Sequence, residues 1–187
     1  MSSDGLQPAL NYGMRQCARY ITKHADDGTS VFGDSPDLLY RDRGGYAITR
    51  NYAATSVPMH IENETDCQAY LSSDRSQEAS YVHAGQRVTV SNGLNFLTVD
   101  LGPGAQTPMH RTISVDFVTV IEGRVELLLD SGESQVLESG DAIIQRATMH
   151  RWKNPSSDKP ARFVAVVIDM RAHEVNGKLL EQEYLRS

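Results

Sequence analysis

The spacing of a few residues between positions 104 and 154 constrains this chain more than its composition does. Gly104 is followed after five residues by His110, Arg111 and Thr112; three residues later comes Asp116, and six after that Gly123. Gly140 and Asp141 follow, and then His150, with three residues between it and Asn154. Around these points run short stretches rich in β-branched and aromatic residues, separated by Gly- and Asp-containing turns. Such a rhythm is that of an all-β jelly roll or barrel. Side chains two apart on a strand share a face. His110 and Thr112 are therefore expected to point one way together, and so are His150 and Trp152. Gly123 and Gly140 fall where the chain reverses and φ > 0 is often needed.

The strands expected from this patterning are residues 87–91, 94–101, 109–112, 116–122, 124–129, 134–137, 142–145, 150–153 and 162–169. Upstream, residues 17–23 and 29–32 flank Asp26-Asp27-Gly28, a hairpin signal. Residues 45–52 and 56–61 read as further strands, with Pro58 placing the latter at an edge or bulge. The polar stretch 62–86 reads as a long loop or lid with room for a helical turn. At the end of the chain, Leu179, Leu180, Tyr184 and Leu185 form an apolar stripe that reads as a short helix. The expected organisation is one domain in three parts: an extension with strands and a lid (1–85), a barrel core (86–170) and a C-terminal helix (171–187).

The paired motifs resemble those of the cupin superfamily. The neighbouring pieces, residues 19–32, 109–116, 140–146 and 149–154, are similar to a branch of small single-domain members from bacteria and fungi. That resemblance implies a β-barrel of two antiparallel sheets, and a homodimer formed through N-terminal strands. It also implies a setting in polyketide-type secondary-metabolite biosynthesis. Metal sites of the family commonly use two histidines, a glutamate and a third histidine. Carried onto this chain, those positions are His110, Thr112, Asp116 and His150. A threonine hydroxyl is a poor ligand for a first-row transition ion, which leaves His110, Asp116 and His150 as a two-histidine, one-carboxylate set. Asp is one methylene shorter than Glu, and metal–ligand distances tolerate little slack. The expected cofactor is accordingly none, or one divalent ion (Fe, Mn, Ni or Zn).

Three functions remain open on the sequence. In the first, His110 and His150 exchange protons with a substrate and Asp116 assists by orienting an imidazole, since histidine titrates near neutral pH. Isomerisation, dehydration, decarboxylation or cyclisation of an aromatic or polyketide-type molecule would suit this set. Trp152, Thr112, Val118 and Val120 are then candidates to line the substrate slot, and Arg111, Arg146 and Arg151 to hold an acidic group. In the second, a divalent ion on His110, Asp116 and His150 performs oxidoreductase or dioxygenase chemistry. In the third, the barrel binds a small ligand without changing it. Of the remaining histidines, His24, His60, His83 and His173 match no motif position and are expected at the surface or in loops.

Charge and composition narrow the partners. The 187 residues carry a formal charge of −6 with no Lys/Arg block, which argues against nucleic acid or anionic membrane. No apolar run approaches the roughly 20 residues of a membrane span. Met1-Ser2-Ser3-Asp4-Gly5 has no signal-peptide character, so a cytoplasmic protein with unpaired Cys17 and Cys67 is expected.

Overall fold

The computed structural model describes residues 5–7 and 12–185. Its strands, in chain order, are β1 (Leu6–Gln7), β2 (Thr22–His24), β3 (Ser30–Phe32), β4 (Tyr40–Asp42), β5 (Tyr46–Ala54), β6 (Leu94–Leu101), β7 (Met109–Arg111) and β8 (Ser114–Glu122). They continue with β9 (Arg124–Leu129), β10 (Ser134–Glu138), β11 (Ala142–Arg146), β12 (His150–Lys153), β13 (Ala161–Asp169), β14 (Glu174–Val175), β15 (Lys178–Leu179) and β16 (Glu183–Leu185). The single described α-helix, α1, covers Thr65–Leu71.

Two antiparallel sheets make the barrel. The larger runs β1-β4-β5-β6-β13-β8-β11 and the smaller β10-β9-β12-β7-β16; β2-β3 and β14-β15 are separate hairpins. Alternation along β6, β8 and β13 sends one set of side chains between the sheets. There Leu97, Val99, Val118, Val120, Val125, Leu127, Trp152 and Phe163 form the main core. At about 25 cal/mol per Å² of apolar surface, this interior is the dominant stabilising term. Gly123 turns β8 into β9 at φ +73, and a Cβ there would sit 2.6 Å from the Pro160 carbonyl oxygen, so no other residue fits. Gly140 also has positive φ, at +97.

The outer face of the larger sheet is covered by the N-terminal arm. Leu38, Tyr40 and Ala47 pack there with Tyr12 and Cys17. Beneath the arm, Arg162 donates to both carboxylate oxygens of Asp100, from Nε at 2.5 Å and Nη2 at 2.6 Å, and its Nη1 holds the Arg15 carbonyl at 2.8 Å.

Several sequence expectations are corrected. The C-terminal segment is not a helix: it forms β15 and β16, and β16 pairs with β7 at the edge of the smaller sheet. Helical structure lies instead in the polar stretch, as α1 and two flanking 3-10 turns. Residues 56–61 and 87–91 are not strands. In the second case side chains take the place of a strand partner: Arg50 Nη2 donates to the Arg87 carbonyl at 2.9 Å, and Asn95 Nδ2 to the Val88 carbonyl at 2.7 Å. The expected hairpin at Asp26–Gly28 is present as β2-β3. Strands β4 and β5, which the sequence assigned to an extension, are part of the barrel wall. Among the described residues no helix is long and apolar enough to cross a membrane.

Candidate active site

Pairing of β12 with β7 sets His150 directly opposite His110. Their ring centroids are 4.4 Å apart, with the planes tilted by 47°. Both line a lumenal cavity of about 460 Å³ between the sheets, together with Thr112, Asp116, Val118, Trp152 and Phe163. A volume of that order accommodates a one- or two-ring molecule. Trp152 stands edge-on to His150 at 5.5 Å and lies 4.9 Å from Phe163, giving the slot an aromatic wall.

Each imidazole is held from behind. His110 Nδ1 lies 2.8 Å from the Pro108 carbonyl oxygen. A carbonyl can only accept, so Nδ1 carries the proton and Nε2 is the basic nitrogen. His150 Nδ1 lies 2.9 Å from the Thr148 carbonyl oxygen and in contact with the Gln145 amide. Gln145 is itself fixed by Thr148, donating from Nε2 to its carbonyl at 2.8 Å and accepting from its hydroxyl at 2.8 Å. Asp116 was expected to orient an imidazole; Pro108, Thr148 and Gln145 do so instead.

Burial shapes the charges. His150 is 2% exposed. Desolvation, with the neighbouring His110 adding to it, drives its pKa down to about 3 against a smaller opposing pull from Thr148. His110 is also lowered by burial, its bond to Pro108 opposing. Two imidazoles this close do not both take a proton near neutral pH, so the pair accepts one at most. Asp116 is 7% exposed, and its Oδ1 has no hydrogen-bond partner among the described residues. Desolvation raises its pKa to about 6, with Ser114 opposing. A carboxyl so placed holds its proton far longer than an ordinary aspartate.

The substrate candidates divide. Thr112, Val118 and Trp152 line the cavity. Val120 is packed in the core beyond it. Arg111 points away from the lumen and pairs with Glu183 at 3.3 Å. Arg146 lies in a surface groove with Met170 and His173, and Arg151 reaches Gln106 on the outside. Odd and even positions of β7, β11 and β12 face opposite ways, which puts these arginines outside once the histidines are inside. His24, His60 and His173 are exposed, but His83 is buried, with Nε2 3.1 Å from the Arg75 carbonyl oxygen.

Sequence reasoning missed Gln145, Arg43, Tyr46, Gln182 and Tyr184. The last four line the cavity, and Tyr184 lies parallel to His110, with centroids 5.7 Å apart and planes 8° from parallel. The signal for Gln145 was its place two after the inward-packed Ile143 on a strand already assigned; for Tyr184 there was none, because its neighbour on β7 is remote in sequence.

The resemblance to cupins implies a metal. Among the described residues no three His, Cys, Asp or Glu side chains gather closely enough to hold one. His110 and His150 face each other, Thr112 offers a neutral hydroxyl, and Asp116 stands apart from them. The donor set as placed does not fit a three-ligand centre, and no step below is routed through one.

Comparison with known proteins agrees with the barrel. The family model described as Cupin domain matches residues 97–167. The chain is 36% identical over 174 residues to phomopsin biosynthesis cluster protein C' of Diaporthe leptostromiformis, covering 89% of this chain and 86% of that protein. It is 34% identical over 172 residues to the cupin-domain-containing oxidoreductase srdB of Neurospora crassa, covering 90% and 82%. The cupin-domain-containing oxidoreductase fogC of Aspergillus ruber is 31% identical over 175 residues, covering 90% and 80%. Among solved structures, the polyketide cyclase RemF from Streptomyces resistomycificus overlaps 50% of this chain and 61% of its own, at 21% identity and a TM-score of 0.40.

Proposed function

This chain belongs to the cupin family, and on that premise we propose that it is a tailoring enzyme of small-molecule biosynthesis that moves protons on an aromatic or polyketide-type substrate. The observation that carries the reading is the facing His110–His150 pair on the wall of a lumenal cavity with aromatic and aliphatic sides. Its relatives' names, among them a biosynthesis cluster protein, support the biosynthetic setting.

In this reading His110 Nε2 takes a proton from the carbon next to a substrate carbonyl, and the electron pair moves to the carbonyl oxygen. Asp116, which keeps its proton up to about pH 6, donates to that oxygen, so charge is balanced through the enol. His110 then delivers its proton to a second carbon, or to a β-hydroxyl that leaves as water, while the enol O–H returns its proton to Asp116, giving isomerisation or dehydration with both residues restored. His150, its pKa held down to about 3 by burial with His110 adding, stays neutral across the physiological range and faces His110 as an uncharged ring, so His110 is the one that carries the proton. The aliphatic and aromatic walls strengthen each of these interactions.

A second reading, an oxidoreductase, is favoured by the names of srdB and fogC. The two part experimentally. An enolisable aryl β-diketone incubated in D2O should gain deuterium at the acidic carbon, by NMR, with wild type. His110→Ala or His150→Ala should slow this by about a hundredfold or more. Undiminished exchange after EDTA treatment is expected. Stoichiometric iron, manganese, nickel or zinc whose removal abolishes activity would overturn the acid/base reading. Saturable binding with no exchange that survives loss of both histidines would make the chain a binding module.

A further inference from the structure

The lumen has a polar mouth that the histidine chemistry leaves unused. Strands β4 and β5 are joined by Gly44-Gly45, both at positive φ (+72 and +104). Arg43 N donates to the Tyr46 carbonyl at 2.8 Å, closing a two-residue turn of the kind such glycines favour. Asp42 Oδ1 accepts from Gly44 N at 2.8 Å and so is engaged in the turn. The hairpin tip therefore has a set shape, and it presents Arg43 to the cavity.

Arg43 is the only Lys or Arg among the described residues that line the cavity. Its guanidinium donates from Nη2 to the Gly85 carbonyl, which orients the fork without neutralising it. No carboxylate among the described residues pairs with it. Beside it, the half-buried Tyr46 phenol is pushed above its ordinary pKa by desolvation, with Arg43 opposing and Tyr184 adding, so the three side chains share one electrostatic neighbourhood. Gln182 Nε2 donates to Tyr184 Oη at 3.1 Å, and both line the same cavity.

Register places this mouth far from the lumenal acid. Tyr46 pairs with Leu101 on β6, whereas Val167 pairs with both Asn95 of β6 and Asp116 of β8. Leu101 and Asn95 are six residues apart, roughly 20 Å of strand. The cavity thus has a cationic end at Arg43 and an acidic end at Asp116, with apolar and aromatic walls between.

We propose that Arg43 seats the carboxylate of a flat, acidic aromatic substrate at the mouth of the lumen, with its reacting end directed inward to His110 and His150. An arginine fork matches a carboxylate in two-point geometry, and a lysine does not. A substrate carboxylate set against the buried Asp116 would have no cation among the described lining residues to meet it, whereas at Arg43 it does, which gives the substrate one orientation. The inference rests on the reading of the lumen as the substrate site.

Trp152 is the only tryptophan of the chain and stands in the lumen wall, so its fluorescence reads occupancy. Benzoate and its uncharged isostere benzamide are titrated into wild type, Arg43→Gln and Arg43→Lys. Expected are saturable quenching by both probes in wild type, loss of about tenfold or more in benzoate affinity in Arg43→Gln, partial loss in Arg43→Lys, and benzamide affinity within about twofold throughout. Arg43 is exposed on a turn, and an unchanged melting temperature confirms that the variants fold. Equal benzoate affinity in wild type and Arg43→Gln overturns the assignment while leaving the lumen as a binding site. Absence of quenching by either probe overturns both. Loss of deuterium exchange in His110→Ala, with benzoate affinity still dependent on Arg43, upholds the seat independently of the catalytic reading.

Discussion

Asp100 and Asp116 are both buried aspartates of the larger sheet, on its two opposite sides, and they have opposite surroundings. Asp100 is gripped at both oxygens by Arg162, and the carboxylate holds that guanidinium cationic well above its usual range. Among the described residues Asp116 has no ion-pair partner and its Oδ1 no hydrogen bond, and burial lifts its pKa to about 6. A buried charge with a well-made partner is a structural joint; one without is a standing cost to the fold. Such a cost, inside a cavity that two desolvated histidines also line, is where function is to be sought.

That contrast breaks most dramatically at the joint. Arg162→Met leaves Asp100 charged and alone and releases the Arg15 carbonyl of the arm; a loss of about 3–5 kcal/mol is expected in urea unfolding. The double variant Arg162→Met with Asp100→Leu should regain most of it. If the single variant is as stable as wild type, the joint is not structural.

On the other side, His150→Ala and His110→Ala should leave the urea midpoint near wild type, within the cost of a small lumenal cavity, while deuterium exchange drops by about a hundredfold or more. A parallel collapse of stability would show the pair to be core packing.

Asp116→Asn should invert the usual outcome of a core substitution. The folded pKa is raised, so this carboxyl contributes stability below its unfolded value of 3.8, and that contribution is lost as pH rises through about 6. Removing the charge should therefore stabilise the protein at pH 7, by on the order of 2–3 kcal/mol, and not below about pH 4. Exchange activity should fall at the same time, the stability–activity trade of a strained site. Equal stabilisation at both pH values would mean that the charge is not its origin.

The smallest effect belongs to the residue that only positions. Gln145→Leu removes the amide from His150 Nδ1 but not the Thr148 carbonyl. Expected is roughly a tenfold loss in exchange rate with an altered pH profile, and rescue by Gln145→Asn would point to simple hydrogen bonding from either amide. An unchanged pH profile would reduce Gln145 to a packing role.

Much of this was legible in the residues. The core strands from β6 to β13 follow alternation and glycine turns that any one sheet face would impose, and the lumenal positions of His110, Thr112, Val118, His150 and Trp152 follow from counting by two. What failed to read was set by partners distant in the chain. The apolar stripe at Leu179, Leu180 and Tyr184 suits a helix by spacing alone, yet the segment pairs as an edge strand because β7 offers free backbone groups there. Residues 87–91 look like a strand, but their carbonyls are taken by Arg50 and Asn95. The arginines near the motif were read as anion holders, and strand parity turned each of them outward.

The sequence by itself determined the run of short strands and the strand faces that His110 and His150 take, because both depend on local periodicity and on glycine turns. The tertiary structure alone decided what surrounds them. It left Asp116 Oδ1 without a partner among the described residues, brought Gln145 behind His150, laid Tyr184 over His110 and carried Arg43 to the mouth. Those placements arise from strand pairings across tens of residues, and burial and electrostatic neighbourhood follow from pairing rather than from order along the chain.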